Sequence, residues 1–132
     1  MKAINGGKQM TDVWRLPAIG RWEKSCGKHP TQKPLALLTR IILASTDEHD
    51  WILDPFAGSS TTGIAANLCG RKFLGIEQAE KFASLSRDRR EELNIDFLRN
   101  GYIQKLSDLD FQNNTICTVK EPEKEYFLEL PF

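Results

Sequence analysis

The segment DPFAGSSTTG, residues 54–63, constrains the fold of this 132-residue chain more than any other feature. A short apolar run at 51–53 ends at Asp54, and the small residues that follow lead into a helical pattern that continues to Cys69. Glycine lets a backbone approach a ligand closely, and the first amides of a helix have no partner within it. The segment therefore predicts a ligand-binding loop between a buried strand and a helix.

The same order of elements occurs again further along the chain. Residues 72–76 form another short apolar run, and residues 79–93 carry apolar side chains at helical spacing. An earlier helix is predicted from Pro34 to about Ser45. Strands joined by a helix are usually parallel neighbours in a right-handed crossover. An α/β fold with parallel strands and crossover helices is therefore predicted for residues 34–95.

The two ends of the chain lack this order. The lead-in is rich in loop signals and runs into the motif HPTQKP at 29–34. Near the other end, Asn100 and Gly101 give a hairpin signal, and the runs 115–119 and 126–130 have the composition of short strands. This extension is therefore predicted to be β-rich, with antiparallel edge strands. The predicted division is a loop-rich lead-in at 1–33, the α/β core at 34–95 and the extension at 96–132.

The formal net charge of zero hides an asymmetry along the chain. Residues 1–46 carry eight Lys and Arg against two acids, and the remainder is acidic. Basic residues interleaved with Trp14 and Trp22 are typical of a surface that contacts nucleic acid, although a solvated surface whose tryptophans pack internally explains the same pattern. The basic residues concerned are Arg15, Arg21, Lys24, Lys28, Lys33 and Arg40.

Cysteine usage and hydropathy narrow the class of protein. Cys26, Cys69 and Cys117 are an odd number without a CxxC pair, which favours reduced thiols over disulfides or a zinc site. The sequence shows neither an apolar run long enough to span a bilayer nor a basic-then-apolar leader. We therefore expect a cytoplasmic protein without a bound metal.

The chemistry of the loop indicates the kind of ligand. Asp54 suits a positively charged group and the amides near Gly58 attract negative charge, so the amino-acid end of a zwitterion fits both. A P-loop is excluded because no lysine follows Gly63, and the GxGxxG fingerprint is absent. Glu77 ends the second apolar run, where nucleotide-binding α/β folds place an acid for ribose hydroxyls. The alternative for Glu77 is a surface glutamate that caps the following helix.

Three motifs together resemble the amino-group DNA methyltransferases of restriction-modification systems: HPTQKP at 29–34, DPFAGSSTTG at 54–63 and FLGIE at 73–77. Their order is similar to that of the beta class, and the resemblance covers about eighty residues, from roughly Asp12 to Asn94. It implies part of a Rossmann-like fold, S-adenosyl-L-methionine as cofactor and double-stranded DNA as substrate. The methylated group would be the exocyclic amine of adenine (N6), or less expectedly of cytosine (N4).

The resemblance also implies roles for individual residues. His29 would belong to a loop on the cofactor side and have no catalytic role. Ser60 departs from the family pattern, which usually has glycine there, so a less close approach to the cofactor is expected. Arg15, Arg21, Lys24 and Lys28 would face DNA. The residues implied to contact the cofactor are Asp54, Phe56, Gly58, Ser59 and Ser60 on the methionine side, Glu77 at the ribose, and Thr31 and Lys33 completing the pocket.

The sequence lacks the family's catalytic tetrapeptide, an Asp, Asn or Ser followed by two prolines and an aromatic residue. No catalytic residue is therefore assigned to this chain. The resemblance implies that a second chain or an N-terminal half supplies the catalytic and target-recognition parts, because a donor site without a clamp for the flipped base leaves the reaction unoriented. The alternatives are a non-catalytic remnant or binding module that keeps the fold and, last, a methyltransferase acting on a small molecule or protein.

Overall fold

The computed structural model describes residues 13–14, 16, 18–27 and 29–111. Four α-helices alternate with two short strands, and two 3-10 helices stand before the first helix and before the last one. In chain order these are the 3-10 helix Arg21–Lys24, α1 Leu35–Ser45, β1 Trp51–Asp54, α2 Thr61–Leu68, β2 Lys72–Gly75, α3 Glu80–Glu91, the 3-10 helix Glu92–Asn94 and α4 Asp96–Phe111.

The two strands form a parallel sheet, with α2 as the crossover between them. The register pairs Trp51 with Lys72 and Asp54 with Gly75, so the carboxyl ends of both strands lie at the same edge of the sheet. The loop after β1 and Glu77 after β2 are therefore brought to the same edge, where open α/β sheets bind their ligands. The predicted α/β fold with parallel strands is confirmed.

The core lies between the helices and one face of the sheet. Leu35 of α1 and Ile64 and Leu68 of α2 are fully buried, and Ile52 and Phe73 pack against them from the two strands. Such burial stabilises by about 1.5–3 kcal/mol for each large side chain, which is what holds two four-residue strands in place. The helix predicted from Pro34 to about Ser45 thus faces the core with Leu35, Ala36 and Ile42, whereas Ile41 is exposed.

The last helix corrects one prediction. Asn100 and Gly101 lie inside α4, so the hairpin expected there is wrong. Tyr102 and Leu106 are four residues apart and both buried, and Trp22 meets the Tyr102 ring edge-on at 5.5 Å between centroids. Gly101 has no atom near its missing side chain, so the helix loses only the roughly 1 kcal/mol that glycine costs, and burial of the apolar face outweighs it.

Further predictions concern the two ends of the chain. The strands predicted at 115–119 and 126–130 lie outside the described residues, whereas the first part of the predicted β-rich extension, residues 96–111, forms α4 instead. The division at residues 33 and 95 stays a prediction. One of the two tryptophans of the basic segment, Trp22, packs internally against Tyr102, as the alternative interpretation of that segment requires.

Candidate cofactor site

The site begins with Asp54, the last residue of β1. One carboxylate oxygen accepts the amide of Phe56 at 3.1 Å, and the other accepts the hydroxyl of Thr62 at 2.6 Å. The first bond closes a tight turn after the strand, and the second ties the turn to the first turn of α2. Asp54 is therefore a fixed, half-buried carboxylate that spans the loop from its start to its end.

Two residues of the loop adopt the left-handed backbone conformation. Gly58 has φ of 54°, and a side chain there would come within 3.2 Å of the His29 ring, so only glycine fits without displacing the histidine. Ser60 has φ of 56° and ψ of 34°, the region that side chains other than glycine rarely adopt. The structure thus gives a physical meaning to the departure at Ser60, because this residue carries a side chain where the backbone favours glycine.

A cavity of about 250 Å³ lies over the loop. It brings together six of the eight predicted cofactor residues, whereas Ser60 is buried beneath the loop and Glu77 does not line the cavity. The predicted residues in the wall are Thr31, Lys33, Asp54, Phe56, Gly58 and Ser59. The wall also includes His29, Gln32, Leu38, Ala57, Thr61 and Thr62, of which the two threonines already stood in the loop motif.

Glu77 reaches the loop from the end of β2. Its two carboxylate oxygens accept the amides of Gly58 at 2.9 Å and of Ala79 at 2.8 Å. The amide of Ala79 is the largest influence lowering the pKa of Glu77, partial burial opposes it, and the amide of Gly58 adds to it. Glu77 is therefore held by one amide of the loop and by the amide of the residue that precedes α3, and each oxygen keeps lone pairs for further donors.

His29 forms the opposite wall of the cavity. Its ring packs edge-on against Phe82 of α3 at 4.2 Å between centroids, and its Nδ1 lies 3.3 Å from both the amide and the hydroxyl of Thr31. These contacts hold the HPTQKP segment over the loop although 25 residues separate His29 from Asp54 in the sequence. The motif and the loop therefore form one site.

The residues present fit the amino-acid end of S-adenosyl-L-methionine. The fixed carboxylate of Asp54 suits an ammonium group, and the absence of a side chain at Gly58 leaves room for close approach to the backbone. A complete ligand pocket usually encloses about 300–1,000 Å³, so the cavity of about 250 Å³ matches part of such a cofactor.

The predicted DNA-facing residues are only partly described. Arg21 is exposed and Lys24 half-buried on the 3-10 helix that precedes the HPTQKP segment, whereas Arg15 and Lys28 lie outside the described residues. Among the described residues, no group of His, Cys, Asp and Glu is arranged to hold a metal ion. In the same part of the chain, no helix has the length and apolarity needed to cross a membrane.

Comparison with known protein families identifies the segment that carries the motifs. Residues 2–88 match the DNA methylase family, N6_N4_Mtase. The chain belongs to this family. The matched residues include all three motifs and every residue predicted to contact the cofactor or DNA, so the resemblance to the amino-group DNA methyltransferases is confirmed.

Individual members of the DNA methylase family are similar over parts of the chain. The type II methyltransferase M2.MboI of Moraxella bovis is 58% identical over 106 residues, which are 80% of this chain and 38% of that protein. The DNA adenine methyltransferase YhdJ of Escherichia coli K12 is 53% identical over 73 residues, 55% of this chain and 25% of that protein. The crystal structure of an M1.HpyAVI–SAM complex aligns with 47% identity and a TM-score of 0.46, over 47% of this chain and 30% of that one.

The matched regions make up less than half of each of these relatives. The chain spans between a quarter and two fifths of the length of these relatives. Similarity therefore concerns only part of each relative, and the family match covers residues 2–88 of this chain.

Proposed function

We propose that this chain is the cofactor-binding part of a DNA methyltransferase that modifies the exocyclic amine of adenine, or alternatively the N4 amine of cytosine. The observation that carries the proposal is a cavity whose wall holds the fixed carboxylate of Asp54 and the Gly58 loop, with a second carboxylate, Glu77, bound to the loop through the Gly58 amide. S-adenosyl-L-methionine has a charged amino-acid end and a ribose, and these are the groups such an arrangement recognises. When bound, the cofactor supplies a methyl group on a positively charged sulfur.

The roles of this chain's residues are binding and orientation. Asp54 is placed to hold the ammonium group, and the loop of Gly58 and Ser59 to receive the carboxylate. Glu77 has its oxygens oriented by backbone amides and a lowered pKa, so it is ionised at neutral pH and can accept both ribose hydroxyls. Thr31 and Lys33 close the cavity from the HPTQKP segment.

The cofactor role is tested by titrating the full chain with S-adenosyl-L-methionine in a calorimeter. A single saturable site is expected, and Asp54→Ala should abolish it, because the ammonium group loses its only fixed carboxylate in the described wall. Asp108→Ala removes the same charge from an exposed position on α4 and serves as the control. A flat titration of the folded wild-type chain would refute the proposal and leave the non-catalytic binding module, which the strained Ser60 favours.

One face of the sheet supports the need for a further polypeptide part. Trp51, Leu53, Leu74 and Ile76 are 65%, 61%, 49% and 55% exposed on this face. Parallel sheets are normally covered on both faces, and no described residue covers this one. We propose that it receives the strands and helices that carry the catalytic and target-recognition segments, which correspond to the 62% of M2.MboI that this chain does not match.

Complementation tests that surface. The chain is mixed with the part of M2.MboI that it does not match, and transfer of labelled methyl groups to DNA is followed. Leu53→Lys should abolish transfer because it places a charge in the covered interface, whereas Phe97→Lys, at a residue 84% exposed on α4, should not. Equal transfer with both variants would contradict the proposal. Self-association that Leu53→Lys removes would assign the face to a second copy and contradict it too.

The contact with DNA is the last part of the proposal. Arg21 and Lys24 lie on the 3-10 helix that leads to the cavity wall, so they are placed to neutralise phosphates near the site. In the complemented protein, the double variant Arg21→Ala/Lys24→Ala should weaken binding to any DNA sequence and lower the salt dependence of binding by roughly one to two units of slope. Such a function places the protein in the cytoplasm.

A further inference from the structure

Arg89 is a charged side chain in the interior of the protein. It lies on α3, and no part of it is exposed. It is the largest fully buried side chain among the described residues. Arginine is almost never fully buried unless its charge is paired, because removing a guanidinium from water is costly. We therefore expect Arg89 to serve a function that offsets the free-energy cost of its desolvation.

The contacts of Arg89 lead to the cofactor loop. Its Nη1 donates to the backbone oxygen of Ser59 at 2.5 Å and to the hydroxyl of Thr61 at 3.1 Å. Its Nε and Nη2 have no hydrogen-bond partner among the described residues. Ser59 and Thr61 both line the cavity, so the guanidinium lies directly behind the cavity wall and touches none of the ligand space itself.

Among the residues that the structure describes, no carboxylate forms an ion pair with this guanidinium. Burial is the largest influence on the pKa of Arg89 and lowers it, and Tyr102, Glu23 and Glu92 oppose this from a distance. Glu23 accepts the amides of Gly20 and Leu35. Glu92 accepts the hydroxyl of Tyr102. These carboxylates therefore offset the guanidinium charge only from a distance. The direct contacts of Arg89 are with neutral groups of the loop, in a low-dielectric interior where its charge is weakly screened.

We propose that Arg89 is a positioning residue for the carboxylate of the bound cofactor. It fixes the Ser59 carbonyl toward the interior and holds a permanent positive charge behind the loop. The loop and Arg89 then attract the carboxylate while Asp54 attracts the ammonium group, so the zwitterion binds in one orientation. This inference rests on the proposed function, since it concerns how the same site recognises its ligand.

The experiment compares two ligands in the full chain. S-adenosyl-L-methionine carries the carboxylate, and its decarboxylated analogue lacks only that group. Arg89→Gln keeps a donor for the Ser59 carbonyl but removes the charge, Arg89→Lys keeps the charge, and Arg87→Met, on the exposed side of the same helix, is the control. Affinities are measured by calorimetry and thermal midpoints by circular dichroism.

A selective effect is expected. Arg89→Gln should weaken binding of S-adenosyl-L-methionine about ten-fold, as expected for loss of one weakly screened charge, and leave the analogue's affinity within about two-fold. Arg89→Lys should recover most of the affinity. The thermal midpoint of Arg89→Gln should stay equal to that of the wild type or rise, because an unpaired buried charge has been removed.

Three outcomes overturn the inference and are distinguishable from one another. If Arg89→Gln weakens both ligands equally, the residue only supports the loop. If it lowers the thermal midpoint and Arg89→Lys does so as well, the role is packing. If the folded wild-type chain binds neither ligand, the proposed cofactor function fails, and the inference fails with it.

Discussion

Replacement of Ser60 by glycine tests whether the cofactor loop is strained. Ser60 has φ of 56°, is fully buried, and its hydroxyl has no hydrogen-bond partner among the described residues. The space around it is tight, because a side chain added at Gly63 would come within 2.5 Å of this hydroxyl. Both the backbone conformation and the buried hydroxyl therefore raise the free energy of the folded state.

The magnitude follows from these two features. A residue other than glycine in the left-handed region costs about 1–2 kcal/mol, and a buried unsatisfied hydroxyl about 1–3 kcal/mol. Glycine returns roughly 0.5–1 kcal/mol through the greater freedom of the unfolded chain. Taking the lower part of each range, because the loop can relax, Ser60→Gly should stabilise the fold by about 1–2 kcal/mol. The corresponding rise in thermal midpoint is about 3–8 °C for a chain of this size.

Unfolding in urea and by heat measures the effect, with Ser60→Ala as the matched variant. Alanine removes the hydroxyl but keeps the side-chain carbon and its conformational cost, so it should give a smaller gain than glycine. Ser60→Gly should also tighten binding of S-adenosyl-L-methionine, because the loop can then approach the ligand. A glycine variant that is less stable than the wild type, or an alanine variant that equals it, would refute the reasoning.

Two further substitutions test contacts around the site, and a third tests a contact at the opposite end of the sheet, before the start of β2. Gly58→Ala should destabilise by about 1–2 kcal/mol in urea unfolding and weaken cofactor binding, because φ is 54° and the new carbon lies 3.2 Å from His29; unchanged stability would contradict this. The lowered pKa of Glu77 means that its stabilisation is present above the ordinary glutamate pKa and is lost as pH falls through the folded-state pKa. Glu77→Gln should therefore lower the urea midpoint at pH 7 and converge with the wild type once the pH falls below the folded-state pKa of Glu77, and a gap that stays constant on acidification would exclude linkage through Glu77. Arg71→Met should cost about 1–3 kcal/mol, because Arg71 donates to the Thr46 backbone at 2.7 Å and to the Thr46 hydroxyl at 3.1 Å; a change within measurement error would show that these bonds are replaced by water.

The parts of the fold that sequence could predict are those whose signal is local. The strands at 51–54 and 72–75 are short apolar runs ended by a small or acidic residue, and the turn at Asp54 follows from its own side chain. Helix α4 could not be recognised in this way. Asn100 and Gly101 favour a turn locally, and the helix forms because Tyr102 and Leu106 are buried against elements distant in the sequence.

The site shows the same division. Six of the eight predicted cofactor residues line one cavity because the motifs carry them together, although their roles stay predictions. Arg89 was not recognised because it stands in the charged stretch RDRRE, where charge suggests exposure. Its spacing in the sequence was the available signal. Leu85 and Leu93 lie four residues to either side of position 89 and are both buried, so position 89 falls on the buried face of α3.

The exposed sheet face and the cavity wall include neighbouring residues of the chain. Under the proposed function, binding of the partner polypeptide is therefore linked to binding of the cofactor. Leu53 is exposed on the sheet, and Phe56, three residues later and 88% exposed, forms part of the cavity wall. A polypeptide that covers the sheet face therefore meets the start of the loop that receives the ligand. Because linkage is reciprocal, any factor by which the partner tightens cofactor binding must equal the factor by which the cofactor tightens partner binding.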